Sequence, residues 1–298
     1  MSLFKGSAVA LVTPFKDGKI DYKSMKKLID YQIENKTDAI VICGTTGEAS
    51  TLSYDEQIEC IKKCVEFVHG RVKVIAGTGS NCTKSAIKLS KTAEILGVDG
   101  LLIVTPYYNK ATQEGLVEHY SSIAKEVSIP IIMYNVPSRT GCNINPETAI
   151  TIAKNNNNVI GIKEASGNIS QVAELSYLKE EIGIDFDIYS GNDDQILPIL
   201  SLGGVGVISV CANIIPKDVH DLVFSYFNDD KKKALLLQTK NYAYSKVLFS
   251  EVNPIPIKKS LYEVGLIDDS ELRLPLTEMN NKKSQELKKV LKRYNNLN

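Results

Sequence analysis

"NNVIGIKEASGN", residues 157–168, decides how the rest of the chain is read. Val159, Ile160, Gly161 and Ile162 form a run with no polar residue in it. A strand with one face in water alternates apolar and polar positions. A strand without that alternation is covered on both faces, as in a parallel sheet flanked by helices. Lys163 then follows the run without a break. An unpaired buried cation costs on the order of several kcal/mol, so two readings stand. Lys163 is either a rim lysine paired with Glu164, its stem lying along apolar surface, or it points into the interior. In the second reading Val159 and Gly161 share its side, and Ile160 and Ile162 face the helices. Gly161 then leaves room for the lysine stem. The apolar surround disfavours the ammonium form, and such an amine is the usual Schiff-base former with carbonyl substrates.

Seven further runs resemble this one. They are "SAVALVTP" (7–14), "DAIVICG" (38–44), "VKVIAGTG" (72–79), "GLLIVTP" (100–106), "PIIMYNVP" (130–137), "FDIYSGN" (186–192) and "GVGVISV" (204–210). Amphipathic stretches separate them. In "SAIKLSKTAEILG" (85–97), Ile87, Ala93, Ile95 and Leu96 are assigned to one apolar face and Gly97 to the helix end. Strand recurs roughly every 25–30 residues, the length of a strand-plus-helix unit. Eight such units predict a (β/α)8 TIM barrel. An open doubly wound sheet is the competing layout, but no GxGxxG opens the first unit. From about residue 226 the strand signal stops and helical patterns continue. The expected division is a catalytic barrel over 1–225 and a C-terminal helical extension over 226–298.

The chain has 298 residues, 43% of them hydrophobic, with 35 basic and 35 acidic side chains. A zero formal net charge gives no reason to expect a nucleic-acid or anionic-membrane partner. The apolar stretch near the start is too short to span a bilayer, and a soluble, cytoplasmic protein is expected. Cys43, Cys60, Cys64, Cys82, Cys142 and Cys211 are scattered and are read as free buried thiols. The three histidines fall in no metal-binding pattern, so neither a metal nor a cofactor is expected.

In a barrel of this kind chemistry gathers where strands end. The second run ends in "GTTGE" with Thr45 and Thr46, and the fourth in "TPYYN". The fifth carries Tyr134 and then "NVPSRTG" with Arg139, and the seventh ends in "SGND" with Gly191. A Schiff base turns a ketone into an electron sink, and the α-proton then needs a shuttle. Tyr134, one strand from Lys163, supplies a suitable hydroxyl, and Thr45 a relay. Backbone N–H groups of the "TTG" turn suit one carboxylate, and the planar fork of Arg139 suits a second. The residues alone therefore point to a lysine-dependent aldolase acting on 2-oxo acids.

The ordered set "GTTGE", "TPYYNKATQEGL", "YNVPSRTG", "GIKEASGN" and "YSGND" resembles the dihydrodipicolinate synthase family of pyruvate-dependent class I aldolases. The likeness extends from "GSAVALVTPF" to "VNPIPIK" and "LRLPL". It implies that Lys163 forms the Schiff base with pyruvate. Tyr134, Thr45 and Tyr108 would relay protons, with Tyr108 serving a neighbouring subunit. Thr46 would hold the pyruvate carboxylate, Arg139 the carboxylate of L-aspartate 4-semialdehyde, and Gly191 and Ile208 would line the pocket. The implied product is 4-hydroxy-tetrahydrodipicolinate, in lysine biosynthesis, and the implied assembly a homotetramer built as a dimer of dimers. Asn81 and Tyr107 match a lysine-binding cleft between subunits. Tyr54, Gln57 and Ser85 depart from its pattern, so feedback by lysine is expected to be weak, unless Glu48 or Glu56 supplies the missing negative charge. The alternative within the superfamily is an N-acetylneuraminate lyase or sugar-acid aldolase. The arginine of "SRTG" and the second threonine of "GTT" favour the synthase branch.

Overall fold

The computed structural model describes residues 2–295. Its eight parallel strands are β1 (Gly6–Ala10), β2 (Ala39–Ile42), β3 (Lys73–Gly77), β4 (Gly100–Val104), β5 (Ile131–Asn135), β6 (Val159–Glu164), β7 (Asp187–Ser190) and β8 (Gly206–Ser209). Each pairs with the next in chain order, and β8 closes on β1. All eight expected strands are present, each trimmed where the chain turns outward. The first run is trimmed most, because its end leads into a small antiparallel ribbon, Phe15–Lys16 with Lys19–Ile20.

Helices α1 (Tyr22–Glu34), α2 (Tyr54–Val68), α3 (Thr83–Ile95) and α4 (Gln113–Ala124) follow the first four strands. A short turn of helix, α5 (Pro137–Thr140), precedes α6 (Pro146–Asn155). Then come α7 (Ile169–Ile182), α8 (Ile196–Ser201) and α9 (Pro216–Phe227). Local chemistry starts these helices where the loops end. Ser53 and Glu56 form a capping box on α2, and Thr112 and Asn168 cap α4 and α7. The helix expected at 85–97 exists, but its buried face is Ala86, Leu89, Ser90 and Ala93. Ile95 is 84% exposed. It stands nine residues from Ala86, about 180° around a 3.6-residue turn.

Two cores explain the unbroken apolar strands. Val9, Ile40, Val74, Ile103, Met133, Ile162 and Ile188 face the helices. Ala8, Ala39, Ile75, Leu102, Ile132, Tyr189 and Ile208 fill the barrel. Phe4 stacks on Tyr189 with ring centroids 4.5 Å apart and accepts its hydroxyl proton at 2.8 Å, closing the N-terminal end. One expectation about faces is corrected. β5 and β6 pair Ile131 with Val159 but Ile132 with Gly161, so Ile160 is an extra, bulged residue. The bulge reverses the alternation below it. Val159 joins the outer core and Ile160 packs on the inner one, while Ile162 keeps its outward place.

After α9 come α10 (Lys231–Leu248), α11 (Ile255–Glu263) and α12 (Asn281–Asn295). α9 ends at Phe227, so residue 226 lies in its last turn. We propose the link between Phe227 and Lys231 as the working boundary between barrel and extension.

Candidate active site

Lys163 is carried near the C-terminal end of β6, flanked in register by Tyr134 on β5 and Tyr189 on β7. It is 5% exposed, and its Nζ lies 4.3 Å from the centroid of the Tyr134 ring. Glu164, one residue on, is held on the other face of the strand. Its carboxylate accepts from Asn135 Nδ2 at 3.0 Å, Gln171 Nε2 at 3.1 Å and the Ser166 N–H at 2.6 Å. The rim pairing of Lys163 with Glu164 is thereby ruled out in favour of the inward lysine. Gly161 does not make room for the lysine stem. A Cβ there would sit 2.6 Å from the Asp187 carbonyl of β7, so its task is the close approach of two strands.

Lys163, Tyr134, Thr45, Thr46, Arg139 and Gly191 all line one cavity of about 170 Å³ at the barrel mouth. That is below the ~300–1,000 Å³ usual for drug-sized ligands, so it suits an acid of a few heavy atoms. Gly191 comes so close to β6 that a Cβ would meet the Ala165 Cβ at 2.5 Å. One expected pocket residue lies elsewhere. Ile208 is wholly buried in the inner core, and Val210, two residues on, lines the wall instead. Tyr108 is 91% exposed, on backbone with φ 74°, away from its own chain's cavity. Tyr107 lines a second groove that opens from Thr45 and Tyr134 toward Ser80 and Ser85. Asn81 is not on that wall, and its carbonyl accepts from Asn109 Nδ2 at 2.9 Å.

The turn carrying Thr45 and Thr46 is fixed from several sides. Thr13 Oγ1 donates to the Gly47 carbonyl at 2.7 Å, and Asn253 Nδ2 donates to Thr46 Oγ1 at 3.0 Å. Arg139 stands on α5 and reaches the Asn253 carbonyl through Nη2 at 3.5 Å. The far wall is anchored by Asp193. Its carboxylate takes the N–H groups of Val210 (3.0 Å) and Cys211 (3.1 Å) and the Ser209 hydroxyl. Burial pushes the Asp193 carboxyl above the usual carboxylate range, against those donors. Asn253, Phe249, Ser138 and Val210 line the cavity without having been singled out in the sequence. "VNPIPIK", one of the stretches that carry the family likeness, is the sequence signal that points to Asn253. Among the described residues, no group of three or more His, Cys, Asp or Glu side chains is placed to hold a metal. Five of the cysteines are buried free thiols; Cys82 is exposed at the start of α3, which corrects its assignment to the interior.

A (β/α)8 barrel with an inward lysine beside a tyrosine ring at its C-terminal mouth, and a threonine turn and arginine around it, has the architecture of a Schiff-base aldolase. The chain belongs to the Dihydrodipicolinate synthetase family, which it matches over residues 3–294. It is 57% identical over 295 residues to the 4-hydroxy-tetrahydrodipicolinate synthase of Caldicellulosiruptor bescii, covering 99% of this chain and 98% of that one. It is 56% identical over 294 residues to 4-hydroxy-tetrahydrodipicolinate synthase 1 of Clostridium acetobutylicum, covering 99% of each. The crystal structure of dihydrodipicolinate synthase from Thermotoga maritima superposes with a TM-score of 0.96 at 44% identity, covering 99% of both chains. The family resemblance read from the motifs and the barrel read from the strand count are both borne out.

Proposed function

We propose that the protein condenses pyruvate with L-aspartate 4-semialdehyde to 4-hydroxy-tetrahydrodipicolinate, the reaction of its relatives, in lysine biosynthesis through diaminopimelate. The observation that carries this is the inward Lys163 on the wall of a small cavity, 4.3 Å from the Tyr134 ring. The lysine amine attacks C2 of pyruvate, and loss of water leaves the imine. Loss of a C3 proton gives the enamine, whose C3 attacks the aldehyde carbon of the second substrate. The aldehyde oxygen becomes the ring hydroxyl. The substrate's own amino group then attacks C2 and displaces Lys163, so the sum is two substrates to one product and one water. Tyr134 and Thr45 move the protons. Thr46 and the N–H groups of its turn hold the pyruvate carboxylate, and Gly191 and Val210 bound the pyruvate end. Arg139, exposed at the lip, takes the carboxylate of the semialdehyde. The relatives' shared name favours this branch over a sugar-acid lyase.

Tyr108 projects from its own subunit, which supports a role in a neighbour's site and a homodimer at least. A tetramer made of two such dimers, and a cytoplasmic location suited to two small metabolic acids, belong to the same proposal. The test is borohydride reduction with pyruvate present. A pyruvate-derived mass is expected on the peptide holding Lys163, and Lys163→Ala should lose activity while keeping its fold. An unmodified peptide, or label on another lysine, would overturn the mechanism.

A further inference from the structure

Lys258 on α11 and Glu48 at the end of the "GTTGE" turn form an ion pair with 2.6 Å between Nζ and Oε1. Both side chains are wholly buried. Lys258 also donates to the Glu271 carbonyl at 2.7 Å and lies 4.0 Å over the Phe15 ring. Glu48 Oε2 accepts the N–H of Arg273 at 3.1 Å, and the Arg273 guanidinium grips Glu56 on α2 at 2.8 and 2.7 Å. Neither Glu48 nor Lys258 lines the cavity. We infer that the Glu48–Lys258 pair is a positioning device for the pyruvate site, anchoring one end of the Gly44–Glu48 turn so that Thr45 and Thr46 stay on the cavity wall. This rests on reading that turn as the seat of the pyruvate carboxylate.

Three observations carry the inference. The Glu48 backbone is left-handed, with φ 54°, a region a non-glycine residue occupies only when its surroundings hold it there. The turn's own bonds start from that residue and its neighbours: Glu48 N–H to the Thr45 carbonyl at 3.1 Å, Gly47 N–H to the Gly44 carbonyl at 3.1 Å. Asn253, five residues before Lys258, grips Thr46 directly, so one short segment of the extension touches the turn at its middle and at its Glu48 end. Stability alone does not account for the pair, because well-packed apolar side chains often replace such a pair at no loss. Burial lowers the Lys258 ammonium to about 8 even with Glu48 beside it, while Arg273 adds like charge and Glu271 opposes it.

The test uses full-length variants, urea denaturation and the pyruvate dependence of borohydride trapping. Lys258→Met alone should lose stability, since Glu48 is left buried without its counter-charge. Adding Glu48→Gln should restore stability, yet half-saturation by pyruvate should stay raised about ten- to hundredfold with unchanged labelling at saturation. Glu48→Gln alone, which leaves Lys258 without its counter-charge, should lose stability as well and, measured where it is folded, show the same displacement. A pyruvate half-saturation equal to wild type in the folded double variant or in Glu48→Gln overturns the inference. Wild-type protein that traps no pyruvate at Lys163 overturns the reading of the site, and this inference with it.

Discussion

Arg139 stands on a helix of only four residues, with one bond from its guanidinium to the Asn253 carbonyl, so the rest of its fork is available at the lip. If it binds the semialdehyde carboxylate, Arg139→Ala should lose about ten- to hundredfold in kcat/KM for that substrate. That is the equivalent of ~1.5–3 kcal/mol for a charge-assisted contact. Trapping of pyruvate alone should be nearly unchanged; an equal loss there would show that Arg139 supports the whole site. His119 offers a second test at this scale. It is buried on α4, with Nδ1 2.9 Å from Thr83 Oγ1, and burial lowers its imidazolium to about 4. Between an ordinary value near 6.5 and about 4 the unfolded chain binds the proton and the folded one does not. Stability from this group is therefore full above pH 6.5 and falls as pH drops toward 4, by at most about 3 kcal/mol. Arg273 holds Glu56 at about 2, so that carboxylate stays charged through the window. Urea melts at pH 7 and pH 4.5 should show His119→Gln losing less stability than wild type on acidification. Equal losses would remove His119 from the account.

The resemblance implies a lysine-binding cleft at Asn81 and Tyr107, and the groove that Tyr107 lines, between α2, α3 and the loop after β4, holds no carboxylate among its lining residues. Tyr54 bonds Thr92, Gln57 donates to the Ala49 and Leu52 carbonyls, and Ser85 stands where an acid would be needed. The two nearby carboxylates are already committed, Glu48 to Lys258 and Glu56 to Arg273. An ammonium ligand leaving water needs a carboxylate partner, and without differential binding there is little coupling. L-Lysine titrated to millimolar levels in a coupled assay should therefore change the rate little. Strong inhibition that Tyr107→Ala or Asn81→Ala removes would mean the cleft is functional. Two features of these elements are not given by apolarity alone. Ile95 is apolar, but its angle on α3 turns it to the solvent, and the bulge at Ile160 reverses the alternation in the lower half of β6.

At the scale of the whole molecule, Tyr108 makes a claim about assembly. Mixed dimers of Tyr108→Phe and Lys163→Ala subunits would contain one site with both defects and one with neither. Each pure variant should be nearly inactive, and an equal mixture refolded or exchanged together should recover about a quarter of wild-type activity, from half the sites in half the dimers. No recovery in a mixture shown to exchange subunits would confine Tyr108 to its own chain or exclude it from catalysis.

Much of this was legible in the residue order. Apolar continuity signals strands covered on both faces, and its recurrence counts eight units, so the barrel follows from local pattern and chain length. Because strand ends share one rim, the residue order alone groups Lys163, Tyr134, Thr45, Thr46, Arg139 and Gly191 at one mouth. Local pattern also left Lys163 with two orientations, and only the placement of Glu164 against Asn135 and Gln171 chose between them. The phase of β6 below its bulge, the outward throw of Tyr108, and the grip of Asn253 on Thr46 across 207 residues were decided by the tertiary structure. So was the burial of Lys258 against Glu48. The physical reason is common to them: periodicity reports which face of an element is apolar, whereas pairing of polar groups distant in the chain depends on packing that brings them out of water together.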